Sequence, residues 1–366
     1  MCGIAGIVSL SSKSQEIDQQ SISKLSKKLY SRGPDAYGYW RDHNAHIHLL
    51  NRRLATQDKR IIANQPCYSQ DRRIVCVLNG EIYNHGNLRS ELKIKGYKFQ
   101  TKNDAEVLAN GYDYWGAKIL DKIQGQFSFI IYNIKTHTGL ISRDERGICP
   151  LYYTIHKYNL IVSSTVQSIL EIKNLKKEID TQSVYDFFVS QSSNYGRSFV
   201  KGINFLLPGT SIKFKLNEGF KKKSFKNTKK SDFSIFSNKS ERKIISEIKN
   251  LFKNSVDECL QGDKKVGIYL SGGIDSASIL SYLRAIKPKE EINTFTASFI
   301  ETESNENIGE QDQAKYYSKL FRSTHHNVKI KQEHIVNDLG KFDLPQEGII
   351  DSAITRLAIL SKKKKV

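Results

Sequence analysis

The chain has 366 residues, of which 39% are hydrophobic and 26% charged, and 57 Lys and Arg against 38 Asp and Glu give a formal net charge of +19. This length and composition are typical of two globular domains with sizeable cores, and they exclude a disordered chain. No apolar run approaches the roughly 18 residues of a membrane span, and the absence of a basic segment before the first apolar stretch argues against a secretory signal.

The positive charge is spread along the chain and is not gathered into one stripe with interleaved aromatic residues. A nucleic-acid or anionic-membrane partner would favour such a stripe. Lys, Ile, Asn and Ser recur throughout, as translation of an AT-rich coding sequence would produce. We therefore expect neither a nucleic acid nor a membrane among the partners.

The cysteine pattern contains no CxxC pair, and the five cysteines are Cys2, Cys67, Cys76, Cys149 and Cys259. An odd number without paired spacing indicates neither a disulfide framework nor a zinc site. A reducing compartment is the simplest expectation, so a cytoplasmic protein is predicted.

Short strands in succession, mixed with helices, are predicted over the first 200 residues. The predicted strands are 73–78, ending in a turn at Asn79-Gly80, then a hairpin of 127–132 with 139–142, and a pair within 152–163. The predicted helices are 22–29, 87–95 and 105–115.

Residues 221–243 carry clusters of lysine without an apolar period, and 211–243 is predicted to be a linker or surface excursion. Beyond it, helix and strand patterns alternate, which is typical of an α/β domain with a parallel sheet. The predicted elements are a helix at 244–260, a strand at 266–270, a helix at 276–285, a strand at 292–299 and a helix at 311–321.

The second residue is a candidate nucleophile. If Met1 is removed, Cys2 carries both a thiol and a free α-amine, with ordinary pKa values of about 8.5 and about 7.7–8.0. Such a residue can supply a thiolate and a base beside it. Taken alone, however, Met-Cys favours the ordinary interpretation, in which Cys2 is simply the second residue of a chain.

Seven motifs in a fixed order change that balance: Met1–Gly6 (MCGIAG), Arg32–Asp35 (RGPD), Arg52–Leu54 (RRL), Asn79–Asn84 (NGEIYN), Asn103–Glu106 (NDAE), Gln124–Phe127 (QGQF), and Arg143-Asp144 with Gly147 and Pro150–Tyr153 (PLYY). Over about residues 1–210 the chain resembles the class II, N-terminal-nucleophile glutamine amidotransferases. The resemblance implies a four-layer αββα glutaminase domain over residues 2–210. Ser31 and Asn51 stand where histidine is common in the family, and neither is expected to carry the reaction.

By this resemblance, Cys2 is the nucleophile that attacks glutamine, and Asn79 and Gly80 form the oxyanion hole, for which an amide side chain and a backbone N–H are suited. Arg53 would pair with the substrate carboxylate through its planar fork. Glu81 and Asp104 would hold the substrate ammonium. Each charged residue taken alone is equally compatible with an ordinary surface ion pair.

A second motif, Leu270–Ser276 (LSGGIDS), lies between a predicted strand and helix. Glycines allow close approach of a phosphate, and a helix N-terminus favours an anion. The motif resembles the pyrophosphate loop of N-type ATP pyrophosphatases, which implies bound ATP and Mg²⁺. The implied ATP-binding residues are Leu270, Ser271, Gly272, Gly273, Asp275, Ser276 and Ala297, with Asp275 as the metal ligand.

A class II glutaminase followed by this loop resembles the glutamine-hydrolysing asparagine synthetases, as do segments at 324–326, 343–345, 351–353 and Ala358. The implied reaction uses ammonia from glutamine to amidate an ATP-adenylated aspartate, giving asparagine, AMP, pyrophosphate and glutamate. Sugar acids or modified amino acids are alternative acceptors, and the family suggests a homodimer.

Residues 244–366 would form the ATP-pyrophosphatase domain, but the chain stops at a lysine run, 362–365, before the family's second pyrophosphate loop and its catalytic lysine. We therefore expect a partial parallel-sheet domain and a C-terminally truncated product. Three alternatives remain open: a synthetase shown incomplete, a short form with glutaminase activity only, or an inactive regulatory remnant.

Overall fold

The computed structural model describes residues 2–44, 46–191, 196–225, 239–260, 265–300, 307–308, 311–338 and 350–364. The chain divides into two compact units, residues 1–231 and residues 232–366. Within the described part, no helix combines the length and the apolar character that crossing a membrane requires.

The strands of the first unit are β1 (Gly3–Ser9), β2 (Ala36–Arg41), β3 (Ile47–Arg53), β4 (Cys67–Tyr68), β5 (Ile74–Ile82), β6 (Gly125–Asn133), β7 (Thr138–Arg143), β8 (Tyr152–His156), β9 (Asn159–Ser163), β10 (Asn204–Phe205), β11 (Thr210–Lys215) and β12 (Gly219–Ser224). Its helices are α1 (Gln19–Lys28), α2 (His85–Ile94), α3 (Asp104–Trp115), α4 (Val166–Ile169) and α5 (Thr181–Ser190).

These strands form two six-stranded antiparallel sheets, in the orders β10-β8-β9-β1-β3-β2 and β12-β11-β7-β6-β5-β4. Apolar side chains from facing strands meet between the sheets, among them Ile4, Leu49, Val77 and Ile130. Helices α1 and α4 pack on the first sheet, and α3, with α2 against it, packs on the second. The predicted four-layer αββα architecture is confirmed.

The first five residues of strand β5, 74–78, are all apolar because both faces of the strand are buried. Val75 and Val77 point into the core between the sheets, whereas Cys76 and Leu78 pack against the helices on the other side. A strand with both faces buried has no polar face to alternate with an apolar one. Both cores therefore depend on the same short segment.

The predicted turn at Asn79-Gly80 is wrong. Strand β5 continues through both residues to Ile82, and Gly80 pairs with Phe127 of β6. Gly80 has a φ of +126°, and a Cβ there would lie 2.0 Å from the carbonyl oxygen of Gln126. The absence of a side chain at Gly80 thus allows β5 and β6 to pair closely, and no turn forms there.

The predicted linker start at 211 also differs from the structure. Strands β11 and β12 form a hairpin within residues 210–224 that pairs with β7 on the edge of the second sheet. Lysines occupy exposed positions of this hairpin, while Ile212 and Phe214 are buried. Lysine-rich segments are typical both of linkers and of the edge strands of sheets. The composition alone therefore did not reveal the hairpin.

The second unit contains α6 (Glu241–Cys259), β13 (Gly267–Tyr269), α7 (Ile274–Ile286), β14 (Asn293–Ile300), β15 (Asn307–Ile308), α8 (Gln311–Leu320), β16 (Thr324–Ile330), α9 (Gln332–Asp338) and α10 (Ile350–Lys363). Strand β14 pairs in parallel with β13 and with β16, and antiparallel with β15. Their shared core includes Ile268, Leu280, Leu283 and Ala314. The predicted α/β order with a parallel sheet is confirmed; the predicted segment 343–345 lies outside the described residues.

Helix α6, predicted at 244–260, has apolar residues at helical spacing on one side, and that side is largely exposed. Ile248 is 58% exposed and Leu251 67% exposed. The ring of Phe252 is half-buried and lies 5.0 Å from that of Tyr282 on α7. The amphipathic pattern predicted the helix but not the depth at which it is buried.

Candidate active site

Cys2 lies immediately before β1, at the end of a central strand of the first sheet. Its Sγ accepts a hydrogen bond from the backbone N–H of Leu54 at 3.3 Å, and its carbonyl accepts one from Arg32 Nε at 3.0 Å. Burial raises the pKa of the thiol, and the Leu54 N–H opposes that rise. The resting group is therefore a thiol that needs a base to become a nucleophile.

One small cavity brings this thiol together with side chains from three distant parts of the chain. Its lining consists of Cys2, Arg53, Leu54, Thr56, Gln57, Gln65, Gly80, Glu81, Asn103 and Asp104. They come from the start of the chain, the end of β3 with the loop after it, the end of β5 and the start of α3. Five of the six residues predicted for glutamine chemistry thus meet around one space.

Arg53 is held rigidly at the wall of this cavity. Only 5% of the residue is exposed. Its Nη2 donates to the carbonyl oxygens of Gln57 and Asp58, both at 2.7 Å, and its Nη1 donates to Asn64 Oδ1 at 2.8 Å. A guanidinium fixed in this way loses little conformational entropy when an anion binds, which favours recognition of a carboxylate.

Two acids line the same cavity in different surroundings. Asp104 is buried, and its Oδ2 accepts from the Ile82 N–H at 2.9 Å. Burial raises the pKa of Asp104 to about 6. Burial also raises the pKa of Glu81, while a hydrogen bond from Gln57 Nε2 to its Oε1, at 2.7 Å, acts in the opposite direction. With a pKa of about 6, Asp104 is mostly ionised at neutral pH and can attract a cation.

The sixth predicted residue, Asn79, is fully buried beside the cavity but is not part of its lining. Its Nδ2 donates to Ser128 Oγ at 3.3 Å. Gly80, next to it, does line the cavity. The backbone of Gly80 is thus available to a bound substrate, whereas the Asn79 amide is engaged by Ser128 and does not line the cavity.

Sequence reasoning missed the loop after β3 as a source of site residues. Thr56, Gln57 and Gln65 all line the cavity. No periodicity or charge pattern distinguishes them, since loop residues carry no regular spacing. Their position shortly after the Arg52–Leu54 motif was the one available signal.

The loop of the second unit joins β13 to α7, as predicted. Ser271 Oγ accepts from the Gly273 N–H at 3.3 Å and lies 3.1 Å from Ser276 Oγ. Gly272 has a φ of +88°, and Gly273 caps a helix of 13 residues without a side chain to satisfy its first N–H groups. A positive helix end with open N–H donors fits a phosphate group.

Asp275 and Ala297 extend this loop region. Asp275 is exposed in the first turn of α7. Leu270 donates its N–H to the carbonyl of Phe295, two residues before Ala297 on the neighbouring strand. Across the described residues, no group of three or more His, Cys, Asp or Glu side chains could hold a metal by itself. A single carboxylate fits Mg²⁺ in the manner usual for nucleotide sites, where phosphate oxygens and water supply the other ligands.

Comparisons with known proteins identify a related family for each half of the chain. The family described as glutamine amidotransferase domain matches residues 1–226, and the family described as asparagine synthase matches residues 247–364. Glutamine-hydrolysing asparagine synthetase 1 of Bacillus subtilis is 30% identical over 370 residues, covering 100% of this chain and 56% of its own length. Asparagine synthetase 3 of that bacterium is 27% identical, covering 97% of this chain and 59% of its own.

A fungal relative bears a different name. Amidase chyE of Penicillium rubens is 29% identical over 293 residues, covering 76% of this chain and 42% of its own length. The chain spans about half the length of the curated relatives it matches. With a glutamine amidotransferase domain followed by a match to asparagine synthase, the chain belongs to the family of glutamine-hydrolysing asparagine synthetases.

Proposed function

We propose that the chain is a glutamine-dependent asparagine synthetase that releases ammonia from glutamine at Cys2 and uses it to amidate aspartate. The observation that carries the proposal is the meeting of the Cys2 thiol with Arg53, Gly80, Glu81 and Asp104 around one cavity. A free amino acid with a side-chain amide presents an anion, a cation and an electrophilic carbon, and this cavity offers a partner for each.

Substrate placement follows from the charges. The glutamine carboxylate would pair with the Arg53 guanidinium, and the ammonium with Glu81 and Asp104. Binding both ends of the amino acid directs its side-chain amide toward the thiol. Fixing the reacting atoms in this way accounts for a large part of the rate in such reactions.

The chemical step then uses Cys2 alone among the cysteines. With Met1 removed, the α-amine takes the thiol proton, and the thiolate attacks the amide carbon of glutamine. The oxyanion is stabilised by the Gly80 N–H, and the Asn79 amide becomes a second donor once its Nδ2 turns from Ser128 Oγ toward the cavity. Ammonia leaves with the proton from the α-amine, and water hydrolyses the thioester to glutamate.

The loop of the second unit would hold ATP through Ser271, Gly272, Gly273 and Ser276, with Asp275 toward Mg²⁺. Bound ATP supplies activation of the acceptor carboxylate by adenylation. The role of this chain's residues is to neutralise the phosphates with N–H and hydroxyl donors. The proposal assigns aspartate as the acceptor because the matched relatives are named asparagine synthetases.

A second candidate is amidation of another carboxylate, which the relative named Amidase chyE favours. The two candidates share the glutaminase half and differ in the acceptor. Product analysis with aspartate, and then with other carboxylates, separates them.

The test is to incubate the purified chain with glutamine, ATP-Mg²⁺ and aspartate and to quantify glutamate, AMP and asparagine by mass spectrometry. Glutamate is expected, with AMP and asparagine as further products if the second unit completes the synthetase reaction, and Cys2→Ala should abolish glutamate formation, since no other cysteine among the described residues lines the cavity. Cys259→Ala is the matched control, because that cysteine is exposed in the second unit. Glutamate without AMP would restrict the activity to the first half, and retained glutaminase in Cys2→Ala would refute the nucleophile.

A further inference from the structure

The cavity beside Cys2 contains one polar atom that the proposed chemistry leaves without a role. Gln57 is 9% exposed and lines the cavity. Its Oε1 is shielded from solvent and has no hydrogen-bond partner among the described residues. A buried carbonyl oxygen without a hydrogen-bond donor costs free energy. A ligand that donates a hydrogen bond to this oxygen would remove that cost.

The orientation of this amide is set by its other end. Gln57 Nε2 donates to Glu81 Oε1 at 2.7 Å. The reverse orientation would place two oxygen acceptors against each other and is unfavourable while Glu81 is ionised. The backbone carbonyl of Gln57 accepts from Arg53 Nη2 at 2.7 Å. One residue therefore connects the cationic wall of the cavity with its acidic wall.

The other amide side chains that line the cavity do not share this feature. Gln65 Oε1 accepts from the Leu78 N–H at 2.6 Å. Asn103 Oδ1 accepts from the Glu106 N–H at 3.0 Å, as a helix cap. Their oxygens hold the protein together, whereas the Gln57 oxygen is left for something that enters the cavity.

We infer that Gln57 is a substrate-recognition residue, whose Oε1 accepts a hydrogen bond from the α-ammonium of the amino acid bound beside Cys2. An ammonium has three N–H donors. Glu81, Asp104 and Gln57 Oε1 offer three acceptors on the lining of one cavity. The inference rests on the proposed glutaminase function and adds to it a selectivity for substrates with a free α-amine.

The test compares binding of L-glutamine with binding of glutaramate, which lacks the α-amino group. Calorimetry is performed on the Cys2→Ala chain and on Cys2→Ala with Gln57→Met, which removes both polar atoms at nearly constant size. We expect the Kd for L-glutamine to rise about tenfold or more, as for loss of a hydrogen bond to a charged group. The Kd for glutaramate should change less than twofold.

Gln15→Met, at an exposed glutamine, is the matched control and should alter neither Kd. Gln57→Asn withdraws the amide by one methylene and should show the same selective loss if Gln57→Met does not fold. Equal weakening of both ligands, no weakening of either, or no binding of L-glutamine to the Cys2→Ala chain would overturn the inference.

Turnover separates this inference from the proposed function. A wild-type chain that binds L-glutamine selectively but forms no glutamate would refute the glutaminase and leave the ammonium site standing. In an active wild-type chain, Gln57→Met should raise KM for L-glutamine with little change in kcat. A fall in kcat alone would indicate a structural role instead.

Discussion

At the scale of single residues, the cavity depends on an acid that burial has altered. Burial removes water from around Asp104 and raises its pKa to about 6, although backbone N–H donors and the Arg53 charge act in the opposite direction. A carboxylate attracts an ammonium only when it is ionised. Glutamine binding should therefore respond to pH in a range where an ordinary aspartate would not.

We predict that the Kd of the Cys2→Ala chain for L-glutamine rises as pH falls from 7 to 5, by up to about tenfold per unit below the pKa of Asp104. The sign follows because protonation removes the negative charge while the ligand ammonium stays charged. Calorimetry at a series of pH values measures this. Asp104→Asn should bind more weakly at pH 7 and show a flatter profile, and an unchanged profile in that variant would assign the titration to another group.

Motif order predicted most of the charged residues around the cavity. It did not predict how burial and hydrogen bonding change the pKa values and the free hydrogen-bonding groups of the residues there. The charges of Arg53, Glu81 and Asp104 are readable from the sequence, and so is their resemblance to a glutamine site. The raised pKa of Asp104 and the open acceptor of Gln57 arise from burial by residues distant in the chain. No local pattern contains that information.

At the scale of elements, β5 and Gly80 show how a glycine can be misread. An Asn-Gly pair predicts a turn because both residues tolerate positive φ. Here the glycine allows the strand to continue where the backbone of β6 approaches too closely for a side chain. The distinction depends on the neighbouring strand, which sequence periodicity does not reveal.

Gly80→Ala should lower the free energy of unfolding by on the order of 3 kcal/mol, since it adds a steric clash to an unfavourable φ. Urea denaturation measures the change. Gly96→Ala is the matched control, because Gly96 has a φ of +92° but no heavy atom within 4 Å of the added Cβ. It should cost about 1 kcal/mol. Equal losses in both variants would show that the clash contributes nothing.

Arg284 connects the end of α7 to the segment between α8 and β16. Its Nε donates to the Phe321 carbonyl at 2.9 Å, and its Nη2 donates to the Arg322 carbonyl at 2.8 Å. Its Nη1 donates to the carbonyls of Lys287, Pro288 and Glu290. One guanidinium thus satisfies acceptors that a methylene chain cannot.

We expect Arg284→Met to destabilise the second unit by about 2 kcal/mol, because the carbonyls lose a charged donor. The readout is thermal unfolding followed by circular dichroism. Lys289→Met, at an exposed neighbouring position, should change stability by less than about 0.5 kcal/mol. A loss of the same size in both variants would attribute the effect to charge and not to the hydrogen bonds.

At the scale of the whole molecule, the two compact units have no buried cluster in common among the described residues. The first has the core between its sheets and the core under α2 and α3, and the second has the core around β13, β14 and α7. Units with their own cores can unfold as separate cooperative transitions.

Calorimetry of the full chain tests this. We predict that Gly80→Ala lowers the Tm of one transition and Arg284→Met lowers the Tm of the other, because each variant disturbs contacts within one unit. Ligand binding gives an independent way to assign each transition to a unit. Glutamine should raise the Tm of the transition that Gly80→Ala lowers. A single transition displaced by both variants would show that the chain unfolds as one unit.

The sequence by itself determined the family and, through the resemblance that its motif order carries, the αββα fold class of the first unit. The alternation of strand and helix patterns determined the parallel-sheet character of the second unit. Both signals are local along the chain. The tertiary structure decided the rest: that residues 2, 53, 54, 56, 57, 80, 81, 103 and 104 share one cavity, that a lysine-rich segment forms a sheet edge, and that burial raises the pKa of Asp104 to about 6. These properties depend on contacts and burial between segments far apart in sequence. They exist only once both sheets and the helices over them have packed.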